Sequence, residues 1–195
     1  MFTGIFQSIA TLVIVLVFYI IDMALLSRYE REREAAGARR EWNFSLFMVA
    51  ASLLLVLQPI AFPAMSLIIT APWALGIQIT GFIVTIFAFS FHIWARLHLR
   101  RFYETHSPLV PRHRLLDTGP YQLVRYPIVT SFFGITTGIL LVNPSLITLL
   151  ISIYTTWNLS KTVVQDERLM NSTLTDYAAY MERTPRFLPR LWKKK

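Results

Sequence analysis

Long apolar runs separated by short charged segments dominate the chain. The first three runs extend from Gly4 to about Leu26, from Phe44 to Thr70 and from Trp73 to Trp94. At a rise of about 1.5 Å per residue, about 20 helical residues cross the ~30 Å hydrocarbon layer of a bilayer. Pro59 and Pro63 interrupt the second run, which predicts a kinked helix or one that ends early with an irregular segment beyond it.

Two shorter apolar runs follow, from Ile128 to Val142 and from Ser145 to about Ser160. Asn143-Pro144-Ser145 joins them as a turn, so they predict a tight helical hairpin. The fourth run is short for a full span, so it is either thinly embedded or reaches only part-way. The pattern predicts an all-α, polytopic membrane helix bundle of about five transmembrane helices. Residues 1–195 form one membrane domain, in which 1–95 hold the three N-terminal helices and 96–195 hold the hairpin and tail.

Positive charge is confined to three segments of the chain. All 19 Lys and Arg residues lie in 28–42, in 96–126 and from Lys161 onwards, and none lies near Ala71 or at the Asn143 turn. Cytoplasmic segments of membrane proteins carry the excess of Lys and Arg. Five crossings with the N-terminus outside and the C-terminus in the cytoplasm place every positive residue inside.

Composition excludes several classes of function. Hydrophobic residues make up 54% of the chain and its net charge is +8, but basic blocks between apolar runs indicate topology and contact with anionic lipid, not nucleic acid. The absence of cysteine excludes disulfides, thiolate catalysis and cysteine metal sites. Four scattered histidines predict no metal site, and no Ser-His-Asp constellation or phosphate loop is evident.

Candidate chemistry begins in the segment 113–127, just before the fourth helix. Gly119-Pro120 is a turn dipeptide, and Tyr126, which precedes a proline, is biased to an extended backbone. Pro127 suits the first position of a helix. The free N–H groups at that helix start, together with Arg125, could hold a carboxylate or phosphate. Taken alone, Arg125 could equally meet a lipid phosphate.

A second candidate cluster lies where the fifth helix leaves the membrane. Asp166 and Glu167 could bind a ligand amine or ribose hydroxyls, and Tyr177 and Tyr180 share a helix face that could cover an aromatic base; Arg186 follows them. The alternatives are a solvated helix end for the carboxylates and interfacial anchors for the tyrosines. Asp22 lies in an apolar run, where a carboxylate is costly, and a structural role is favoured for it. His92 is interpreted as a packed or interfacial histidine.

Together these residues resemble the isoprenylcysteine carboxyl methyltransferase family and its phospholipid methyltransferase relatives. The resemblance covers roughly residues 94–190 and consists of six ordered pieces. They are His113-Arg114-Leu115-Leu116, Thr118-Gly119-Pro120-Tyr121, Arg125-Tyr126-Pro127, Asp166-Glu167-Arg168-Leu169, Tyr177-Ala178-Ala179-Tyr180 and Arg183-Thr184-Pro185-Arg186-Phe187-Leu188-Pro189. The sequence departs from the family pattern at Tyr126, where the family has histidine, and at Val129, Ser131, Asp166 and Leu174-Thr175.

The resemblance implies methyl transfer from S-adenosylmethionine to a lipophilic acceptor in the membrane, at a cofactor pocket on the cytoplasmic side. The cofactor-binding residues it implies are His113, Leu115, Gly119, Tyr121, Arg125, Tyr126, Pro127, Asp166, Glu167, Tyr177, Tyr180 and Arg186. Arg96, Arg100 or Arg101 would hold an anionic group of the acceptor. Two alternatives stay open: a non-catalytic member acting as a membrane scaffold or lipid binder, for which Tyr126 argues, and an NADPH-dependent membrane reductase of the sterol type.

Overall fold

A computed structural model describes residues 3–25, 42–67, 72–105, 115–174 and 176–189 of the chain. These ranges contain seven α-helices and no β-strand beyond a single bridge between Ser66 and Ser145. The helices are α1 (Ile5–Leu25), α2 (Trp42–Ala61), α3 (Ala74–Thr105), α4 (Pro120–Leu123), α5 (Pro127–Val142), α6 (Leu146–Thr173) and α7 (Tyr177–Arg183). The predicted all-helical class is confirmed for the described residues.

The helices largely coincide with the apolar runs, but some of them end at different residues. The helix α2 contains Pro59, ends at Ala61 and is followed by one turn of 3-10 helix at Pro63–Met65, so the prediction of an early end is confirmed. Two other helices are longer than the apolar runs that predicted them. The helix α3 continues past Trp94 to Thr105 and α6 continues past Ser160 to Thr173, because arginine, lysine and glutamate are good helix formers outside the apolar layer.

The predicted hairpin of α5 and α6 is confirmed. The helix α5 begins at Pro127, which lacks the N–H that a first helical position leaves without an intrahelical partner. Ser145 caps α6, because its hydroxyl oxygen accepts a hydrogen bond from the Thr148 amide at 3.1 Å. The connecting turn also holds the end of α2 in place, since the Leu67 amide donates to the Pro144 carbonyl at 2.8 Å.

The bundle has an apolar core, but unlike a soluble protein it also has an apolar outer surface and many buried polar side chains. Large apolar side chains cover the outside of α1, including Phe6 (65% exposed) and Ile20 (66% exposed). Polar side chains lie inside, among them Gln58 (0% exposed) and Gln78 (1% exposed). An exposed apolar surface of this extent indicates a non-aqueous partner, and interior polar groups bonded between helices are typical of membrane bundles.

Small residues allow α3 and α5 to pack backbone against backbone. A Cβ atom added at Gly138 would lie 2.1 Å from the Thr85 hydroxyl, and one at Gly81 would lie 2.8 Å from the Gly138 carbonyl. A Cβ atom added at Gly134 would lie 2.8 Å from the Ala88 Cβ. Gly134 and Gly138 are four residues apart on one helix face, which is the spacing of close helix pairs in membranes.

Two described helices are long and apolar enough to cross a membrane, at Ile5–Leu25 and Ala74–Arg101. Two further apolar helices are shorter, at Leu46–Ala61 and Pro127–Val142. These findings indicate a helical membrane protein, while the number of five crossings and the orientation of the termini stay predictions. The basic segment 28–42 lies largely outside the described residues.

Candidate functional site

The candidate site lies where the start of α5 meets the far end of α6 and the segment after α7. Residues Arg125 and Tyr126 lie beside residues Pro185 and Arg186 in a short pairing of backbones. The Arg125 amide donates to the Pro185 carbonyl at 2.9 Å, and the Tyr126 amide donates to the Arg186 carbonyl at 3.3 Å. Two predicted motifs about 60 residues apart in sequence are therefore joined through their main chains.

Glu167 is the centre of the site. Its Oε1 accepts hydrogen bonds from Arg125 Nη2 at 2.6 Å and from Arg125 Nε at 3.1 Å. Arg186 donates to the same carboxylate from Nε at 3.1 Å and from Nη2 at 2.5 Å. Arg125 Nη1 donates to the carbonyls of Met181 and Thr184 at 2.9 and 3.0 Å. Arg125 therefore joins α6 and α7 to the start of α5.

The cluster carries one unit of positive charge, because two guanidinium groups share one carboxylate. The side chains of Arg125 and Glu167 are 9% and 8% exposed, whereas that of Arg186 is 41% exposed. The hydrogen bonds to Glu167 raise the pKa of Arg186 above its ordinary value, so this guanidinium stays charged. Arg186 is therefore the more accessible cation of the cluster.

Three tyrosines lie against this charged centre. The hydroxyl groups of Tyr126 and Tyr177 are 3.3 Å apart, and Tyr180 donates to the Tyr121 carbonyl at 2.6 Å. Burial raises the pKa of Tyr126, Tyr177 and Tyr180 above the ordinary value of 10.0, and the Tyr126–Tyr177 hydrogen bond raises that of Tyr126 further. These phenols are therefore neutral, and can donate hydrogen bonds, at any pH at which the protein would work.

The turn before α4 depends on His98, which the sequence reasoning missed. Gly119 has a φ of +59°, a conformation that L side chains rarely adopt, and the His98 ring lies 2.7–2.9 Å from the place where its Cβ would stand. His98 Nε2 also lies 2.9 Å from the Thr118 hydroxyl. A lone histidine in a polar helix extension carries no sequence signal for this contact, because the partner lies 20 residues away.

The remaining predicted cofactor-binding residues differ in burial. Pro127 is buried at the start of α5, and Leu115 is half-buried. Asp166 is half-buried beside the cluster, and its negative charge helps to raise the pKa of Tyr126. His113 lies outside the described residues.

The predicted acceptor-binding arginines lie on α3 and differ in their surroundings. Arg96 is 9% exposed and forms an ion pair with Asp22 of α1 at 2.7 Å. Arg100 and Arg101 are exposed further along the helix. Arg96 therefore already holds a carboxylate of the chain itself, which agrees with the structural role favoured for Asp22.

A buried polar chain that the sequence reasoning missed links α1, α3 and α5. His92 is fully buried, and its Nδ1 lies 2.8 Å from the Ser131 hydroxyl while its Nε2 lies 3.2 Å from Asp22 Oδ1. The statement that no Ser-His-Asp constellation exists was thus wrong as a matter of geometry. Ser131 is only 1% exposed and donates to the Ile128 carbonyl at 2.5 Å. Its hydroxyl is therefore not accessible to a substrate, and the three residues connect α1, α3 and α5 by hydrogen bonds.

Comparison with known proteins bears on the same region. The chain matches no curated protein and no solved structure. Residues 79–172 match the Isoprenylcysteine carboxyl methyltransferase (ICMT) family. The matched segment contains most of α3, all of α5, nearly all of α6, and the Arg125 and Glu167 side chains that meet in the site. This segment of the chain is therefore similar to the isoprenylcysteine carboxyl methyltransferase family, as the sequence motifs predicted.

Proposed function

We propose that the chain transfers a methyl group from S-adenosylmethionine to a lipophilic acceptor at the membrane. The cofactor supplies a methyl group that is already activated on a positively charged sulfur. The protein then has to hold the donor and the acceptor in line and to exclude water, without a covalent intermediate. An apolar outer surface and a polar centre at one end of the bundle suit a water-soluble donor and a lipid-soluble acceptor.

The observation that carries this proposal is the contact between Arg125 and Glu167. These residues are 42 positions apart and lie in separate motifs, yet they share two hydrogen bonds. Had they lain at opposite ends of the bundle, no single small molecule could have reached both. Their convergence, together with the family match over the same residues, supports one site built from both motifs.

The residues present suit the charges of S-adenosylmethionine. The single positive charge of the Arg125–Glu167–Arg186 cluster favours the α-carboxylate of the cofactor, and Arg186 is the exposed donor for it. The first N–H groups of α5 have no intrahelical partners and favour the same anion. Asp166 would take the amine or ribose hydroxyls.

Tyr177 and Tyr180 would line the buried side of the site. Tyr177 and Tyr180 are each 2% exposed, so in this arrangement they support the cluster from behind. An adenine contact at these rings would need a movement of α7. Among the candidate acceptor residues, Arg100 and Arg101 are the exposed ones, and we assign the anionic group of the acceptor to them in preference to Arg96.

Titration of S-adenosylmethionine into the purified chain in detergent tests cofactor binding. We expect the Arg186→Gln variant to bind about tenfold or more weakly, since a charge-assisted hydrogen bond is lost. Arg183→Gln is the matched control, because Arg183 lies three residues away and pairs with Asp117 at the surface. Absence of heat and of any shift in thermal stability with the wild-type chain would contradict the proposal.

Membranes that contain the chain, incubated with labelled methyl donor, test the reaction itself. We expect label to enter the organic-soluble fraction in a manner that depends on the chain. Oxidation of NADPH under the same conditions, without transfer of label, would instead support the reductase alternative.

A non-catalytic function is the second candidate, and Tyr126 is the observation that favours it. The position where the family has histidine holds a neutral phenol bonded to Tyr177. The Tyr126→His variant distinguishes the two functions. A gain in cofactor affinity indicates decay from an active ancestor, whereas a loss indicates that Tyr126 is adapted to the present chemistry.

A further inference from the structure

The outer face of α6 carries an open depression that the candidate site does not use. Its volume is about 370 Å³. It is lined entirely by side chains of this one helix: Trp157, Ser160, Lys161, Val164, Gln165 and Arg168. Residues at spacings of three and four share a helix face, so the indole, one valine and two cations form a single stripe along α6.

This stripe is separate from the face that builds the site. Val163 (1% exposed) and Glu167 (7% exposed) lie on the buried side of the same helical turns. Trp157 is 53% exposed, and Lys161 and Arg168 are also exposed. The depression is therefore accessible from outside the bundle among the described residues, and it can be altered without touching Glu167.

The stripe lies at the level where α6 changes from apolar to charged. No charged residue occurs between Leu146 and Ser160, and Lys161 is the first cation of the helix. Trp157 stands one turn earlier, and indole rings are enriched at the boundary between hydrocarbon and headgroups. The depression therefore lies at headgroup depth in the predicted membrane arrangement.

Lys161 and Arg168 lie seven positions apart on the same face of α6. Lys161 Nζ lies 3.8 Å from the centroid of the Trp157 ring, so its side chain folds back toward the apolar part of the helix. The Arg168 side chain starts from a Cα–Cβ bond that tilts toward the helix N-terminus, hence toward Lys161. Within the described part of the chain, neither side chain forms a salt bridge.

We propose that this face binds the phosphate headgroup of an anionic phospholipid. Lys161 and Arg168 would bind the phosphate as a point charge and as a planar fork, respectively. Trp157 and Val164 would contact the glycerol and the upper part of the acyl chains. The proposal does not rest on methyl transfer, and it holds for a catalytic and for a non-catalytic chain.

Charge complementarity favours a lipid over a second copy of the chain. A two-fold symmetric contact places the same patch on both subunits, so each Lys161 and Arg168 would face the same cations of the partner. Like charges brought together in this way oppose association. A phospholipid carries the opposite charge on its phosphate, and its acyl chains can contact the Trp157 ring.

Quenching of Trp157 fluorescence in nanodiscs tests the proposal. Brominated phosphatidylglycerol and brominated phosphatidylcholine quench indoles that they touch, and subtraction of the Trp157→Phe spectrum isolates this tryptophan from the other four. We expect the anionic lipid to quench it at about tenfold lower mole fraction, given two cations at the headgroup. Equal quenching by the two lipids would overturn the proposal.

Two double variants show whether the depression itself selects the lipid. Lys161→Gln with Arg168→Gln should abolish the preference for phosphatidylglycerol. Lys194→Gln with Lys195→Gln removes the same charge at two other positions of the chain and should retain the preference. Persistence of the preference in the first variant overturns the proposal.

A third possible result is that protein covers this face of α6. If neither lipid quenches Trp157, another part of the chain or a second copy occupies the depression, and the proposal is wrong. The natural chain has no cysteine, so disulfide cross-linking of the Val164→Cys variant would then identify a second copy.

Discussion

Glu167 accepts four hydrogen bonds from two arginines, so both arginines depend on it for a partner in the site. Removal of its charge leaves two guanidinium groups facing each other, one of them buried. We expect Glu167→Gln to lower the free energy of unfolding by about 3–5 kcal/mol, as for other broken buried pairs. Thermal unfolding in detergent measures this change.

The exposed ion pair of Arg183 and Asp117 supplies the control for that measurement. Its side chains are 59% and 36% exposed, and pairs of this kind contribute about 0–1 kcal/mol. Asp117→Asn should therefore leave the unfolding temperature nearly unchanged. Equal losses in the two variants would contradict the central position given to Glu167.

The raised pKa values of Tyr126 and Tyr177 predict how stability depends on pH. In the unfolded chain these phenols ionise near 10.0, whereas in the folded chain they stay neutral to higher pH. Their contribution to stability is complete below pH 10.0 and is lost as the pH rises through the folded-state pKa values. We expect the unfolding temperature to fall above that pH, and to fall less steeply in Tyr126→Phe. An unchanged slope in this variant would contradict the assignment.

At the scale of single residues, the sequence predicted which residues meet in the candidate site, and their roles stay predictions. Arg125, Tyr126, Glu167 and Arg186 were all predicted, and the structure brings them together. Their partners could not be predicted, because a guanidinium can bind a ligand carboxylate as well as one of the chain. His98 was missed for the same reason, since its contact with Gly119 arises only from folding.

At the scale of helices, the close pairing of α3 and α5 holds the start of α5 in place. We expect Gly138→Val to separate these helices, because even a Cβ at this position would lie 2.1 Å from the Thr85 hydroxyl. Overpacking of this kind costs about 1–3 kcal/mol or more. Reduced thermal stability together with weaker cofactor binding would confirm the link between the pairing and the site.

Gly76 is the matched control for the helix pair. It lies on α3, but a Cβ added there would meet no atom within 4 Å. Gly76→Ala should retain stability, or gain slightly from the lower flexibility of alanine in the unfolded chain. A loss in Gly76→Ala as large as that in Gly138→Val would indicate a general sensitivity of α3 and not a specific contact.

At the scale of the whole molecule, the structure shows which turns share an end of the bundle. The 3-10 turn after α2 and the turn before α6 touch through Leu67 and Pro144. Gln7 near the start of α1 donates to Val142 at the end of α5 at 3.0 Å. The Asp22–Arg96 pair lies within α1 and α3, far from these turns, and the candidate site lies at the opposite end of α5. The number of crossings and the sidedness of the bundle stay predictions.

Labelling of single cysteines tests the predicted sidedness, since the natural chain has none. A membrane-impermeant maleimide should label Met65→Cys in intact cells. It should label Gln122→Cys only after permeabilisation. Reversed labelling would contradict the orientation, and labelling of both residues from one side would contradict the five-crossing arrangement.

The sequence by itself determined the helical class and the hairpin, and it predicted several of the residues that meet in the candidate site. These features depend on local periodicity, on caps such as Ser145 and on the resemblance carried by short ordered motifs, all of which are readable along one chain. The lengths of α3 and α6 were only partly determined, because hydropathy ends at the membrane boundary whereas helical hydrogen bonding does not.

Only the tertiary structure decided which charges pair. The Arg125–Glu167–Arg186 cluster, the His92 chain to Asp22 and Ser131, and the occupation of Arg96 by Asp22 join helices that are distant in sequence. The free energy of such a contact depends on the distance and the exposure of both partners. Neither quantity exists until the helices have packed.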